Sequence, residues 1–200
     1  MIVVGGGAQD DAEAVQALAR RIGAPVVAFR TGHGVMPSDD PLSIGLPMAH
    51  SLWPDVDLVI GLGTRLQSQV MSWGRDDAMK IIHIDIDESQ IGRSAPVDVG
   101  IHGRLADALP LLILAIDDRA NANPDWAMRI DDVKSRREAE YRQRLGSQLE
   151  WLGAIRDALP RDGTFVDELT QTGYVSRFAF PSYHPRSFIS TGYQGTLGYG

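Results

Sequence analysis

The stretch 57–65 constrains the fold of this chain more than any other. It begins as an apolar run and ends on Gly63, Thr64 and Arg65. This pattern is typical of a buried parallel strand that leads into a loop. Ligands of open α/β sheets bind outside the carboxyl ends of the strands, where the strand order reverses. Residues 2–7 have the same form, so we expect the two strand ends to share one nucleotide site.

Strand-like and helix-like patterns alternate through the first part of the chain. The first helix carries apolar residues at helical spacing, can be capped by Asp10 or Asp11, and ends at Gly23. Such alternation predicts right-handed βαβ crossovers and a parallel sheet covered on both faces, which is a Rossmann-like doubly wound α/β fold. The predicted strands are 2–4, 25–29, 57–62, 80–86 and 97–101, and further helices are predicted to start near His50 and to span 105–116.

We expect three parts along the chain. Residues 1–118 form a nucleotide-binding-like domain, and residues 119–160 form a helical linker. Arginines alternate with acids in this linker, so we interpret it as a solvent-exposed helix rather than a phosphate-binding patch. A turn at Gly163 then introduces a new strand. Residues 161–200 are interpreted as the start of a second α/β domain that is cut off before its sheet is complete.

The truncated second domain is rich in large apolar residues. Without a complete sheet these side chains would lack a core, and exposed apolar patches of that kind seek partners. We therefore expect the chain to associate, or its tail to be held by a neighbour. The residues concerned are Phe178, Phe180, Tyr183, Phe188 and Ile189.

The composition argues against several classes of function. The formal net charge is −7 and the pI is about 5.1, which disfavours a nucleic-acid platform or a basic membrane-surface module. Cysteine is absent, so there are no disulfides and no thiolate metal site. No apolar run approaches the roughly 20 residues needed to cross a bilayer, and no signal-peptide pattern is recognised. We expect a cytoplasmic protein with a small-molecule partner.

Gly5, Gly6 and Gly7 form a glycine-rich turn after the first predicted strand. Glycines let a phosphate approach the backbone closely, and the start of the next helix offers free N–H groups. A dinucleotide fingerprint would need a further glycine at Asp10 and an acid after the second strand, where Arg30 stands. This is therefore not a standard NAD site, and a plain tight turn remains the alternative.

Charged side chains follow the next two predicted strands. Arg65 can hold a diphosphate in a bidentate way, with a surface ion pair as the alternative. His83, Asp85 and Asp87 alternate and so share one face, where Asp85 can accept from a ribose or an adenine. A hard metal ion usually gathers more oxygen ligands, so no metal site is assigned. Known catalytic motifs are absent, and no catalytic residue is assigned.

Four strand-end motifs stand out in the first 118 residues. They are Val4-Gly5-Gly6-Gly7, 32–37 with Pro41 and Gly45, 61–65, and 84–87. Together with the tail, 190–200, they resemble the thiamine-diphosphate enzymes of the acetolactate synthase type. The tail resembles the segment that opens the diphosphate-binding domain of that family. The resemblance covers essentially the whole chain and identifies 1–118 as the family's central domain.

The resemblance implies a ligand in the cleft of the central domain. Acetolactate synthase holds FAD there, and relatives such as oxalyl-CoA decarboxylase hold ADP or coenzyme A. The matching positions here are Gly5, Gly6, Gly7, Gly63, Thr64 and Arg65, with Asp85 and Ile86 near the adenosine end.

Two departures from the family pattern bear on the identity of that ligand. Gly103 is followed by Arg104, where the family often has Asp. Gln67 and Gln69 stand where FAD-binding members tend to carry charged residues. FAD, ADP, coenzyme A and a vacant cleft therefore all stay open.

The resemblance also implies part of a thiamine diphosphate site. Thr170 and Gln171 match the loop at the cofactor diphosphate, and Gly195 and Leu197 match the pair beside its aminopyrimidine. A bulky Leu197 would hold the cofactor in its bent form. In this family the cofactor, held with Mg²⁺, attacks a 2-oxo acid, releases CO₂ and transfers the carbanion equivalent.

Other parts of the family's active site are expected to lie outside this chain. The domain with the activating glutamate would precede it, and the Gly-Asp-Gly metal motif would follow Gly200. The family places its cofactor at a dimer interface. We therefore expect a fragment, inactive alone, of a homo-oligomeric lyase or transferase. The alternative hypothesis is a stand-alone nucleotide-binding or oligomerisation module without catalysis.

Overall fold

The computed structural model describes residues 1–116, 124–191, 195 and 197–199. Its main feature is a parallel sheet in the order β3-β2-β1-β4-β5-β6. The order reverses between β1 and β4, which is the switch point of a doubly wound fold. The strands are β1 (Ile2–Val4), β2 (Val26–Ala28), β3 (Ser43–Ile44), β4 (Leu58–Leu62), β5 (Lys80–Asp85) and β6 (Val99–His102).

Helices cover both faces of the sheet, which confirms the predicted Rossmann-like α/β fold. Side chains alternate along a strand, so Ile2 and Val4 of β1 enter one core while Val3 enters the other. The helices are α1 (Ala12–Ile22), α2 (Leu46–Leu52), α3 (Gln67–Trp73), α4 (Leu105–Ala115), α5 (Pro124–Arg144), α6 (Gly146–Ala158) and α7 (Gln171–Ala179). Helices α1 and α4 pack on one core, and α2, α3 and α5 contribute to the other.

The helix boundaries follow local signals only in part. Helix α1 ends at Gly23, which is left-handed (φ +61°) and donates its N–H to the Ala19 carbonyl, as predicted. Asp11 stands at the N-cap position, but its side chain accepts no capping hydrogen bond. A short 3-10 helix, Gly6–Asp11, precedes α1 and already provides its entry. Helix α2 starts at Leu46, four residues before the predicted start at His50.

Helix α5 is not the solvent-exposed connection that the sequence suggested. Ile130, Val133 and Tyr141 are buried in the core that also holds Val3 and Val59 of the sheet. They are spaced at intervals of three and eight residues and so share one side of the helix. Because charged residues separate these three in the sequence, the apolar side of the helix was not predicted. Residues 117–123, which are the end of the predicted central domain and the first part of the predicted linker, lie outside the described residues, and the domain boundaries stay a prediction.

The region after α5, residues 145–191, is called the C-terminal segment below. It contains α6, α7 and a second, two-stranded parallel sheet formed by β7 (Phe165–Val166) and β8 (Phe188–Ile189). Phe180 and Phe188 are each only 4% exposed and pack with Leu152 and Val175. The expectation that these aromatic residues lack a core is therefore wrong, because α6 supplies one. Ile189, at 40% exposure, stays partly open to solvent.

The C-terminal segment packs directly against the loop that follows β2. A side chain on Gly34, at φ +83°, would lie 1.8 Å from the His184 carbonyl oxygen, so only glycine permits this approach. Ser38 N–H donates to the Ser182 carbonyl over 2.9 Å, and Ser182 N–H donates to Ser38 Oγ. Backbone contacts at two points thus hold the segment to the sheet domain.

A buried acid organises the interior of the C-terminal segment. The Asp167 side chain is fully buried and accepts from Arg177 Nε at 2.8 Å, from Ser190 Oγ at 3.0 Å and from Thr191 N–H at 3.3 Å. These contacts connect β7, α7 and the chain that leaves β8. Among the described residues, no helix is long and apolar enough to cross a membrane.

Candidate functional site

An open cleft lies at the carboxyl ends of β1, β4, β5 and β6, and we call it the strand-end cleft. Its volume is about 580 Å³. In the sheet register Val4 pairs with Leu62 and Leu62 pairs with Ile84, so the loops after these strands leave the sheet side by side. Among the residues that line the cleft are Gly7, Gly63, Thr64, Arg65, Asp85 and Ile86.

Six of the eight predicted cleft residues therefore come together at the predicted place. The other two do not line the cleft. Gly5 is buried beneath the turn, and Gly6 lies next to Thr31, whose Oγ1 would be 3.1 Å from an added Cβ. The sequence motif thus contains one glycine that faces the cleft, one that is buried and one that is exposed beside Thr31.

The two glycine turns pack against each other. Gly7 N–H donates to the Gly63 carbonyl over 3.1 Å. A Cβ on Gly5 would lie 2.4 Å from that same oxygen, and one on Gly63, at φ +54°, would lie 2.6 Å from the Gly7 backbone. These glycines are required by the fold itself, whether or not a phosphate binds. Their presence alone is therefore weak support for a nucleotide.

The charge of the cleft is mixed. Two cations, Arg65 and Arg104, line it together with four acids. Arg65 is exposed and already has an interaction within the protein, so a bound diphosphate would compete for it. The acids are Asp10, Asp11, Asp85 and Asp87. Such a lining suits a ligand that offers hydroxyl or amino donors to the acids as well as a phosphate to the arginines.

Asp85 is the last residue of β5 and lines the cleft, and His83 lies two residues before it on the same strand. Asp85 is 9% exposed, and its Oδ1 accepts from Asp87 N–H at 2.9 Å. His83 is buried; its Nε2 lies 2.7 Å from the Thr64 carbonyl oxygen and 3.9 Å from Asp85 Oδ2. The histidine therefore links the Thr64 turn to β5 and is structural. Asp87 lies beyond the strand end, so it does not share the strand face that the alternation predicted.

Asp87 sits at the outer rim of the cleft. Its side chain accepts from Ser89 Oγ at 2.7 Å and from Ser89 N–H at 3.0 Å, and these hydrogen bonds lower the pKa of Asp87. The carboxylate therefore stays charged at neutral pH. Among the described residues, no group of three or more His, Cys, Asp or Glu side chains could hold a metal ion.

Sequence reasoning did not assign several residues that line the cleft. Gly103 and Arg104 follow β6, and Gln90 and Asp87 lie in the turn after β5. The signal was available for Arg104, since it comes directly after a predicted edge strand. Asp10 and Asp11 were interpreted as helix caps, yet they line the cleft as part of the 3-10 helix.

The four residues matched to thiamine diphosphate lie near one surface of the C-terminal segment. Thr170 caps α7, and its Oγ1 accepts from Gly173 N–H at 3.0 Å. Gln171 Oε1 is 3.5 Å from Gln148 Nε2. An added Cβ on Gly195 would lie 3.8 Å from Leu169, and Leu197 is 79% exposed. Their joint role at a cofactor stays a prediction.

The comparisons with known proteins cover both regions of the chain. The profile of the thiamine pyrophosphate enzyme central domain matches residues 1–112. The chain belongs to the thiamine pyrophosphate enzyme family. This confirms the resemblance drawn from the strand-end motifs and the identification of the sheet domain as the family's central domain.

Curated relatives in this family align with the whole chain. It is 30% identical to a probable 2-ketoarginine decarboxylase of Pseudomonas aeruginosa, over 100% of this chain and 37% of the relative. It is 31% identical to an acetolactate synthase of Mycobacterium avium, with 35% of that protein covered. An acetolactate synthase large subunit of Escherichia coli is 24% identical over 37% of its length. The chain thus spans little more than a third of these relatives.

Proposed function

We propose that this chain is the central domain and the start of the diphosphate-binding domain of a thiamine-diphosphate-dependent lyase or transferase that acts on a 2-oxo acid. The single observation that carries this proposal is the match to the family's central domain, whose strand ends meet at the switch point between β1 and β4. The names of the relatives, a 2-ketoarginine decarboxylase and acetolactate synthases, share 2-oxo acid chemistry.

In this proposal the strand-end cleft holds an adenine nucleotide. FAD, ADP and coenzyme A all carry an adenosine and a diphosphate. Asp85 would accept from the ribose or adenine, and Arg65 would contact the diphosphate. The open side of the Gly7 turn would let the ligand approach the backbone. Because several residues that line the cleft are acids, the cleft favours a ligand whose hydroxyl groups can donate to them.

Calorimetric titration of the purified protein with ADP, FAD and coenzyme A tests this part. We expect saturable binding of at least one of them, weakened about tenfold or more by Arg65→Ala, since a charge-assisted contact contributes roughly 1.5–3 kcal/mol. Arg136→Ala is the matched control, because Arg136 is exposed on α5 and pairs with Asp132 of the same helix at 3.0 Å. No binding of any of the three would mean that the central domain is a spacer.

The C-terminal segment would contribute one wall of the thiamine diphosphate site. Thr170 and Gln171 would lie at the cofactor diphosphate, and Gly195 and Leu197 beside its aminopyrimidine. When bound with Mg²⁺, the cofactor supplies the carbanion chemistry on the 2-oxo acid. The residues of this chain would orient the cofactor and cover it from one side. We expect the 200-residue chain alone to be inactive and the whole enzyme to release CO₂ from a 2-oxo acid.

We also propose that the protein is a cytoplasmic homo-oligomer. The open wall carries exposed apolar side chains, among them Leu197 at 79% and Tyr199 at 51%. Exposed apolar area of this kind is typical of an interface. Light scattering of the purified protein that gives the mass of a monomer would contradict the oligomer. A catalytically silent whole protein that still binds ADP would favour the alternative, a nucleotide-binding module without catalysis.

A further inference from the structure

The charged side chains of the strand-end cleft follow the order of the strands beneath them. Neighbouring strands lie about 4.8 Å apart, so the loops after β1, β4, β5 and β6 follow one another along the cleft in that order. The charged lining residues of the β1 and β5 loops are all acids, and those of the β4 and β6 loops are single arginines. Acidic and basic loops therefore alternate along the cleft.

This alternation separates the two arginines of the lining. Arg65 follows β4 and Arg104 follows β6, so the loop after β5, with Asp85 and Asp87, lies between them. The strands that carry the two arginines are two spacings apart, which is roughly 10 Å. Each loop next to an arginine is acidic. The cleft thus offers two separate basic positions rather than one basic surface for a highly charged ligand.

The acids of the β5 loop are held in place by hydrogen bonds. Asp85 is 9% exposed, and its Oδ1 accepts from Asp87 N–H at 2.9 Å. The Asp87 side chain accepts from Ser89 and from Gln90 Nε2. Arg93 attracts Asp87 electrostatically but does not line the cleft. A ligand that reaches this loop therefore meets two carboxylates in fixed positions.

The apolar side chains of the cleft indicate which way a nucleotide lies. Ile86, which is 67% exposed, and Leu105 line the β5 and β6 side, whereas the β1 side is lined by Gly7, Asp10 and Asp11. An adenine packs best on apolar surface, so it should lie toward β5 and β6.

The position of the ribose follows from the two ends of the ligand. The diphosphate lies at the Gly7 and Gly63 turns beside Arg65, and the ribose joins it to the adenine. The ribose therefore lies at the loop between, next to Asp85 and Asp87. Its hydroxyl groups can donate to these carboxylates, whereas a phosphate on the ribose would be repelled by them.

We propose that the strand-end cleft selects adenosine diphosphates with free ribose hydroxyls and rejects those that carry a ribose phosphate, an inference that rests on the nucleotide site of the proposed function. FAD and ADP are ligands of the first kind, and coenzyme A, with its 3′-phosphate, is of the second. Asp85 and Asp87 determine this specificity. The family match leaves all three ligands open, and the order of charges along the cleft separates them.

The first test compares dephospho-coenzyme A with coenzyme A, which differ only in the 3′-phosphate. Calorimetry on the unmodified full chain in low salt should give a Kd about tenfold lower for dephospho-coenzyme A, because the extra phosphate meets two carboxylates at close range. Coenzyme A that binds as tightly as the dephospho form, or more tightly, would overturn the proposal.

The second test assigns the selectivity to the β5 loop. Asp87→Asn removes one charge and keeps an oxygen that can accept from Ser89, and the side chain is exposed, so the variant should fold. We expect the ratio of the two Kd values to fall from about tenfold to about threefold. Glu88→Gln is the matched control, because Glu88 is the next residue in the same turn, is exposed and does not line the cleft. An unchanged ratio in Asp87→Asn, or an equal fall in both variants, would overturn the role of Asp87.

Salt separates repulsion between charges from a steric clash. At about 1 M salt charges are screened beyond roughly 3 Å, so the ratio in the unmodified chain should fall to about threefold or less. A ratio that stays near tenfold would show that shape rejects the phosphate and would overturn the proposal.

Failure of this inference can be told apart from failure of the proposed function. Saturable binding of ADP with equal binding of the two coenzyme A forms would overturn the selectivity alone. No binding of ADP, FAD or either coenzyme A form would overturn the nucleotide site itself, and this inference with it.

Discussion

The sheet domain and the C-terminal segment are stabilised in different ways. In the sheet domain six strands pair in one sheet, and apolar side chains fill a core on each face. In the C-terminal segment two short strands share one small core, and a buried acid, Asp167, connects the elements. The stability of the sheet domain depends on apolar area removed from water. The stability of the C-terminal segment depends on a few polar contacts and on its attachment to the sheet domain.

This difference also separates the two candidate sites. The strand-end cleft is built on backbone turns that the sheet holds in place, so its shape exists without a ligand. The surface around Thr170 and Leu197 is open, and its geometry depends on what covers it. Mutations should therefore affect the two regions to different extents and in different ways.

The largest effect is expected where the two glycine turns touch. Gly63→Ala would place a Cβ 2.6 Å from the Gly7 backbone, so one of the turns must move. We expect a loss of about 4 kcal/mol in the free energy of unfolding, measured by urea titration, and loss of ADP binding.

Gly74→Ala is the control for that substitution. Gly74 also has a positive φ, +84°, but an added Cβ there meets nothing within 4 Å. Its cost should be that of the backbone conformation alone, about 1–3 kcal/mol, because φ +84° with ψ 175° is a region that L residues rarely adopt. An equal loss in both variants would mean that the contact between the turns does not stabilise the sheet domain.

The next effect concerns the buried acid of the C-terminal segment. Asp167→Asn leaves the Arg177 guanidinium without its charge partner. It also keeps an acceptor for only one of the other two donors, because Ser190 Oγ donates to Oδ2 and Thr191 N–H donates to Oδ1. We expect a loss of about 3 kcal/mol, because breaking a buried ion pair leaves one charge uncompensated. Hydrogen exchange should quicken in 165–191 and stay unchanged in β1 and β4. Uniform quickening in both regions would show that they do not unfold separately.

A pH effect is expected from His33, which lies between the two regions and stacks on Phe188 at 4.5 Å. Burial lowers its pKa from 6.5 to about 4, although the nearby Asp167 opposes this shift. The unfolded chain therefore binds a proton more readily than the folded one. The stability is complete above pH 6.5 and declines as the pH falls toward 4. Between pH 7 and pH 5 the loss should be about 2 kcal/mol.

His33→Asn should remove this part of the pH dependence. Urea unfolding at pH 7 and pH 5 measures how the free energy of unfolding changes with pH in the unmodified protein and in the variant. Other acids contribute equally to the two slopes, so the difference between them reports on residue 33. The same pH dependence in both proteins would mean that the pKa of His33 is close to its ordinary value.

The smallest effect is expected at the surface between the two regions. Arg161 Nη2 lies 2.6 Å from Asp39 Oδ2, and both side chains are more than half exposed. Asp39→Asn should change the free energy of unfolding by no more than about 0.5 kcal/mol, and salt at about 1 M should abolish that change. A loss above about 1 kcal/mol would show that surface charges, rather than the Gly34 and Ser38 contacts, hold the regions together.

Much of the sheet domain followed from the sequence. Its strands are apolar runs that end on turns, and β1, β4 and β5 lie within two residues of their predicted bounds. The strand-end cleft followed as well, because strands of a parallel sheet end at one edge. Short β3 and β8, and helices α3 and α7, were not predicted. A strand of two residues is too short to show an alternation of apolar and polar residues. Gln67–Trp73 has few apolar residues, so no helical spacing of apolar side chains is visible there.

The sequence by itself determined the periodicity, the glycine turns and the family, since these are properties of neighbouring residues and of motifs in order along the chain. Only the tertiary structure decided that α5 is part of the core, that Phe180 and Phe188 are buried, and that Asp11 and Arg104 line one cleft. The physical reason is that burial is a property of two surfaces that meet. Residues 11 and 104 are far apart in the chain, and no local pattern records which surface each of them will face.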